Sequence, residues 1–287
     1  MLIGEDKSVN MERDITLRKV QKVELEILDI VHKVCVENQL KYSLAYGTLI
    51  GAVRHQGFIP WDDDIDICMP REDYEKFLEI WPKYKFEDYI LQNIETDEDF
   101  TQNFTKIRKN HTTFLQPKEE QYKYHKGFFI DIFPGDRVPD SKIKQQFQFF
   151  NMAVNLLYSR KFKSGSSSKI ISIVENILFL FPKSIQKKYR KISENRMKKY
   201  NSNSNYQYVF ASTINETKIY YPSDIFENLV LVDFEGSQFY IFKDYDNCLR
   251  IQYGDYMQLP SEKERVWTHT PQIVDFHRNY EEIKRKE

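Results

Sequence analysis

The residues best suited to chemistry lie between Gly47 and Ile67, in the string GTLIGAVRHQGFIPWDDDIDI. Asp62, Asp64 and Asp66 occupy alternate positions there. On an extended strand, side chains alternate between faces, so all three carboxylates leave one face at steps of about 6.6–6.8 Å. Asp63, Ile65 and Ile67 then point the other way, and the two isoleucines suit a core. Carboxylates so placed repel each other by about 2–3 kcal/mol per neighbouring pair at an effective dielectric of about 20. Water or a cation must offset that cost. A ligand set made only of carboxylate oxygens points to Mg²⁺ or Mn²⁺ rather than zinc.

Asp131 has a related setting. It stands inside the apolar string FFIDIFP, where burying an acid alone is costly. A cation shared with Asp64 and Asp66 would resolve that cost. Upstream, the Gly47-Thr48 turn opens a short helix, whose backbone N–H groups and Thr hydroxyl suit a phosphate. Arg54, Lys106 and Arg108 are candidates for the positive side of the same pocket. Together these residues describe a metal-assisted phosphoryl-group transferase, with Asp64, Asp66 and Asp131 as catalytic and metal-binding carboxylates. Relief of carboxylate repulsion predicts that Asp64→Asn or Asp131→Asn abolishes turnover yet keeps or raises the thermal midpoint. His55 and His269 read as hydrogen-bonded structural histidines.

The elements that must position these residues follow from periodicity. Leu17, Val20, Val23, Ile27, Ile30, Val31 and Val34 recur at three- and four-residue steps, which predicts an amphipathic helix over 17–34, ended by Asn38. Strands are predicted at 41–46, 62–69, 104–108 and 128–133. Helices are predicted at 49–54, 71–80, 142–162, 169–181, 184–200 and 244–253. Pro70 and Pro82 bracket the helix over 71–80, and Gly254 ends the last. Leu229–Phe234 and Ser237–Phe242 flank Glu235-Gly236, a hairpin signal. KSGSSS at 163–168 reads as a linker. The mixture of strands and helices is that of an α+β chain with a mainly helical second half.

Composition removes other classes. The 287 residues carry 42 Lys and Arg against 43 Asp and Glu, a net charge of −1 that argues against a nucleic-acid partner held by bulk charge. Three scattered cysteines exclude a disulfide framework and point to a reducing compartment. The stretch MLIGEDKSVNMERD has no apolar core of a secretory signal. No run approaches the ~20 apolar residues of a membrane span. A cytoplasmic location is therefore expected. The stretch 169–190 has two readings. The first is a core helix; the second is a membrane-surface helix in which Ile170, Ile171, Ile173, Val174, Ile177, Leu178 and Phe179 precede Lys183, Lys187, Lys188, Arg190 and Lys191. The second reading would place the protein at the inner face of the plasma membrane.

The order Gly-Thr, then Asp64-Ile65-Asp66-Ile67, then Ile130-Asp131-Ile132 resembles the polymerase-β-like nucleotidyltransferase superfamily. Within it, the string from Gly47 to Ile67 is similar to the LicD family of phosphorylcholine transferases, related to the fukutin group. GFFIDIFPGDRVPD, YGDYMQLP and the downstream Arg265 and His269 extend the resemblance over about residues 20–270. It implies a nucleotidyltransferase-like core with a mixed β-sheet flanked by helices over 15–140. Residues 141–287 would form a mainly helical acceptor- or substrate-binding region with a β-hairpin, packed on the core. It implies transfer of phosphocholine from CDP-choline to a sugar hydroxyl of a cell-surface glycan, lipopolysaccharide or teichoic acid precursor, carried on a lipid, with CMP leaving. By motif, Asp64, Asp66 and Asp131 would hold the metal, Asp131 would orient or deprotonate the acceptor, and Gly47 and Thr48 would face the phosphates. A choline head group needs aromatic faces, worth roughly 0.5–2 kcal/mol each. Trp61, Tyr42, Tyr46 and Trp267 are the candidates. The alternatives are transfer of ethanolamine phosphate, a polyol phosphate or a nucleotide by the same site, or a non-catalytic scaffold for glycan assembly.

Overall fold

The computed structural model describes residues 7–160, 169–267 and 269–285. Helix α1, Lys7–Glu37, opens the fold. Val20, Ile27, Leu28, Val31, Val34 and Cys35 form its fully buried stripe, and the Asn38 amide donates to the Val34 carbonyl at 2.8 Å to close its last turn. Strand β1, Ser43–Leu44, leads into α2, Tyr46–His55. Then come β2, Asp66–Pro70, α3, Arg71–Ile80, β3, Tyr89–Gln92, β4, Thr105–Lys109, and β5, Thr113–Leu115. Strand β6, Phe129–Val138, is buried along all its residues.

The second half holds α4, Lys142–Ser159, α5, Lys169–Leu178, and α6, Lys183–Met197. It continues through β7, Gln207–Phe210, the hairpin β8, Leu229–Phe234, and β9, Ser237–Phe242, and α7, Tyr245–Tyr253. It closes with β10, Ile273–Asp275, and α8, Tyr280–Lys284. The predicted linker at 163–168 lies outside the described residues, as do the side chains of Ile170, Ile171 and Val174.

The principal sheet is mixed and six-stranded, in the order β1-β2-β6-β4-β3, with β7 also on β6. β2 and β6 are parallel, and their register sets Asp66 opposite Asp131. The first half of β6 pairs with β4 and its last four residues pair with β7, so a strand from beyond residue 200 completes the sheet. α1 packs on β4 and β6, and α3 on β2 and β6. The hairpin turn Glu235-Gly236 has positive φ at both residues, 55° and 85°, the geometry that matches strand twist in a two-residue loop. Its Glu235 carboxylate pairs with Arg18 and accepts from the Phe58 N–H at 3.1 Å. The hairpin tip thereby holds the loop that leads into the Asp62–Asp66 segment.

Candidate active site

Four aspartates share one open cavity of about 380 Å³. Asp62, Asp64 and Asp66 enter it from the segment leading into β2, and Asp131 from β6. Along that segment Asp62, Asp64 and Asp66 are half-buried, while Asp63, Ile65 and Ile67 are wholly buried. The ladder itself starts at Asp66 rather than at the predicted residue 62. Upstream of it the chain is extended, and the Ile65 carbonyl accepts from the Asp131 N–H at 2.8 Å.

The start of α2 brackets this strand. The Ala45 N–H donates to the Asp66 carbonyl at 2.9 Å, and the Asp66 N–H donates to Thr48 Oγ1 at 2.8 Å. Thr48 therefore fixes backbone instead of lining the cavity. Tyr46 adopts φ 50° beside it, a left-handed conformation that costs a non-glycine residue about 1–3 kcal/mol and concentrates at functional sites. Gly47 is required by contact: a Cβ there would stand 2.6 Å from Asp62 Oδ2. Gly47→Ala is expected to turn the Asp62 carboxylate aside, lowering turnover by about 10²-fold while the thermal midpoint changes little. Steady-state kinetics beside a melting curve checks this, and unchanged turnover would remove Asp62 from the site.

The buried side of the segment is locked by residues from 200 positions downstream. Asp63, with no exposed surface, accepts from the Trp267 indole N–H and from the His269 N–H at 3.3 Å. His269 Nδ1 lies 3.2 Å from Asp63 and 3.5 Å from Asp64. Trp267, a candidate choline contact by sequence, is thus engaged on Asp63. Trp61 instead lies beneath the Arg265 guanidinium, 5.6 Å from the ring centre.

The candidate cations are placed differently from one another. Lys106 is buried and gives both its short contacts, 2.6 and 2.9 Å, to Asp131. Arg108 is turned to Gln92 and the Gly127 carbonyl, at 2.5 and 2.7 Å. Arg54 donates to the Tyr256 carbonyl at 2.7 Å. Neither arginine lines the cavity. Tyr46 does line it, and with Phe133 and Phe104 it makes a continuous aromatic wall: the ring centres are 5.0 Å apart for Tyr46–Phe133 and 4.4 Å for Phe104–Phe133. Tyr42, by contrast, is buried with its hydroxyl 2.6 Å from His32 Nδ1. Phe104, Phe133, Tyr253, Arg160 and Glu216 reach the cavity without any local sequence signal.

A sequence profile described as LicD/FKTN/FKRP, nucleotidyltransferase domain, matches residues 39–166, a span that holds all four aspartates. Over 264 residues the chain is 34% identical to the lipopolysaccharide cholinephosphotransferase LicD of Haemophilus influenzae, covering 88% of this chain and 96% of that one. The chain belongs to the LicD family. Shorter matches join it to uncharacterized proteins of Rickettsia typhi, 41% identical over 68 residues, and Rickettsia prowazekii, 42% identical over 66. The first covers 24% of this chain and 22% of the relative; the second covers 23% and 25%.

In this LicD family chain the charges of the site are crowded. Burial, then the charges of Asp64 and Asp63, push the Asp62 carboxyl up to about 8. Burial pushes Asp64 up to about 6 against the opposing pull of His269. Asp66 is held well above the usual carboxylate range by burial and by Asp64 and Asp131. Glu24, at a buried position in the apolar stripe of α1, has no hydrogen-bond partner at either oxygen. Burial and the charges of Asp64 and Asp63 raise it strongly as well. An acid inside an amphipathic stripe was the sequence signal for it.

Among the described residues, Asp63, Asp64 and His269 bring ligand atoms within 4.8 Å of one another. Asp63 already accepts three hydrogen bonds, so that set is a lock rather than an open cage. The cavity carboxylates Asp62, Asp64, Asp66 and Asp131 are the ones chemically suited to a hard divalent cation, since they are oxygen donors gathered on one cavity and the first three are partly open.

A testable consequence concerns pH. Asp62 and Asp64 titrate in the fold above the ordinary carboxyl value of about 4. The stability tied to their protonation is full below that value and is lost as pH rises through about 6 and about 8. The metal-free protein is therefore expected to melt at falling temperature from about pH 5 to about pH 8. Millimolar Mg²⁺ or Mn²⁺ should recover more of the loss at the higher pH. Melting curves without and with Mn²⁺ check this; a midpoint indifferent to Mn²⁺ at the higher pH counts against a cation site.

Proposed function

We propose that this protein transfers phosphocholine from CDP-choline to a sugar hydroxyl of a cell-surface glycan. The acceptor would be a lipopolysaccharide or a teichoic acid precursor on a lipid carrier. The name of the Haemophilus relative supports the cholinephosphotransferase reading. The observation that carries it here is the cavity, which is lined by both the carboxylate row and the Tyr46–Phe133–Phe104 wall. Aromatic faces hold a quaternary ammonium by cation–π attraction, and carboxylates beside them suit metal-bound phosphates. We read residues 15–140 as the nucleotidyltransferase-like core and 141–287 as the acceptor side. The three cysteines are buried and free, which fits the cytoplasm.

In the proposed reaction the acceptor oxygen bonds to the phosphorus that bears choline, and the bond from that phosphorus to CMP breaks. CMP leaves with the electron pair. Mg²⁺ or Mn²⁺ supplies neutralisation of the charge on the transferring phosphoryl oxygens. Asp64, Asp66 and Asp131 would hold that ion, and Lys106 fixes the Asp131 carboxylate. Asp62 takes the acceptor proton, because it lines the cavity and stands outside the Lys106–Asp131 pair. Gly47 leaves it the room to do so. Tyr46, Phe104 and Phe133 orient the trimethylammonium group.

Calorimetric titration with CDP-choline, CDP-ethanolamine and CDP-ribitol in the presence of Mg²⁺ tests the reading, followed by mass spectrometry of a glycan acceptor. Preferential CDP-choline binding and a phosphocholine mass increment are expected. Tighter binding of another donor would move the assignment to that phospho-group. No binding by any donor would favour a scaffold.

A further inference from the structure

Residues 142–200 carry fourteen Lys and Arg against two Asp and Glu, in a chain whose totals are 42 and 43. The positive charge of the protein is thus gathered on α4, α5 and α6 and the chain between and just after them, and everything else is net acidic. The same helices expose the largest apolar side chains. Leu180 is 82% exposed, Ile173 58% and Ile177 53%, with Phe181 beside them. Ile173 and Ile177 stand one turn apart on α5, while Glu175 between them is buried. The core-helix reading is therefore reversed at these positions: Ile173 and Ile177 face out and Glu175 faces in. After Pro182, Lys183, Lys187, Lys188 and Lys191 of α6 are all exposed. On α4, Phe147 is half-exposed under the Arg196 guanidinium, 5.7 Å from its ring centre.

A greasy ridge ringed by lysines is the composition of an interfacial helix pair: apolar side chains enter the acyl boundary and cations meet the phosphates. We propose that the α5–α6 corner docks on an anionic lipid bilayer. Ile173, Ile177, Leu180 and Phe181 insert, and the α6 lysines lie on the headgroups. A second copy of this chain fits poorly, because two such surfaces would set like charges face to face. Tyr158, near the end of α4, donates to the Leu178 carbonyl at 3.3 Å, two residues before Arg160, which lines the carboxylate cavity, so the docked corner adjoins the cavity wall.

The proposal stands apart from the transferase reading, since its test needs no substrate. The full chain is sedimented with vesicles of phosphatidylcholine alone and of phosphatidylcholine mixed with phosphatidylglycerol. Pelleting with the anionic vesicles alone, released by about 0.5 M salt, is expected. Lys187→Glu with Lys188→Glu should weaken partitioning by about tenfold or more. Leu180→Ser with Phe181→Ser should do the same, with circular dichroism unchanged in both variants. No pelleting, equal pelleting with neutral vesicles, or undiminished binding by both variants overturns the proposal. So does a lipid-free dimer that Leu180→Ser with Phe181→Ser dissolves, which would give the face to a second copy.

Discussion

Asp64→Asn is expected to lower turnover by about 10³-fold or more while the protein melts at the wild-type temperature or above it. Asp64 sits in the cavity against Asp62 and Asp66, its nearest opposite charge being His269 at 3.5 Å. Replacing it with a neutral amide of the same shape removes a cation ligand and relieves repulsion together. Asp131→Asn should differ. Its carboxylate holds Lys106 through two contacts at 2.6 and 2.9 Å, both side chains about nine-tenths buried. Loss of one partner leaves the other charge buried and uncompensated, at a cost of about 3–5 kcal/mol. The cost should fall at the lower end, because burial already lowers the Lys106 ammonium below its ordinary value and the amine can shed its proton. The expectation from sequence that both variants stay stable is therefore kept for Asp64→Asn and revised for Asp131→Asn. Urea unfolding of Asp64→Asn, Asp131→Asn and Asp131→Asn with Lys106→Met separates the effects, the last recovering stability without activity. Activity within tenfold of wild type in Asp64→Asn would refute its role as a metal ligand.

The largest stability loss is expected at Asp136→Ala. Arg71 opens α3 and grips Asp136 of β6 in a two-pronged pair, Nε to Oδ1 at 2.9 Å and Nη2 to Oδ2 at 2.7 Å. Asn201, from the second half of the chain, adds a donor to Oδ1 at 2.8 Å. The pair is almost wholly buried. Truncating Asp136 strands a guanidinium in the interior, worth about 3–5 kcal/mol, a large share of the 5–15 kcal/mol of a typical domain. Guanidinium chloride midpoints check this. Arg71→Met with Asp136→Leu should recover most of the loss, since a buried pair exchanged for apolar residues of similar volume is often neutral. A double variant as unstable as Asp136→Ala would show that the pair contributes through more than its charge.

What could be read in advance was local. The amphipathic period of α1, the prolines on either side of α3 and the Glu-Gly turn of the hairpin are written in neighbouring residues, and these elements lie where the sequence places them, α1 extending further at both ends. Strands β3, β5, β7 and β10 are short, and their identity comes from partners far along the chain, as when Ile273–Asp275 pairs with Thr113–Leu115. Alternation alone assigned Asp62, Asp64 and Asp66 to one face. Where a long side chain ends is a different matter. Arg54 and Arg108 were candidates by charge, yet each finds a backbone carbonyl instead, an acceptor no sequence displays. The aromatic wall was partly hidden for the same reason: Phe104 and Phe133 sit on different segments and meet only through the sheet.

Asp63 is anchored by Trp267 and His269, so the acidic segment is not held in place by the neighbouring α2 alone. During synthesis the ribosome must deliver more than two hundred further residues before that anchor exists. A chain halted short of Trp267 would possess every carboxylate and still lack the fixed row. Competence should thus arise late, when the tail has emerged and threaded back against the oldest part of the molecule.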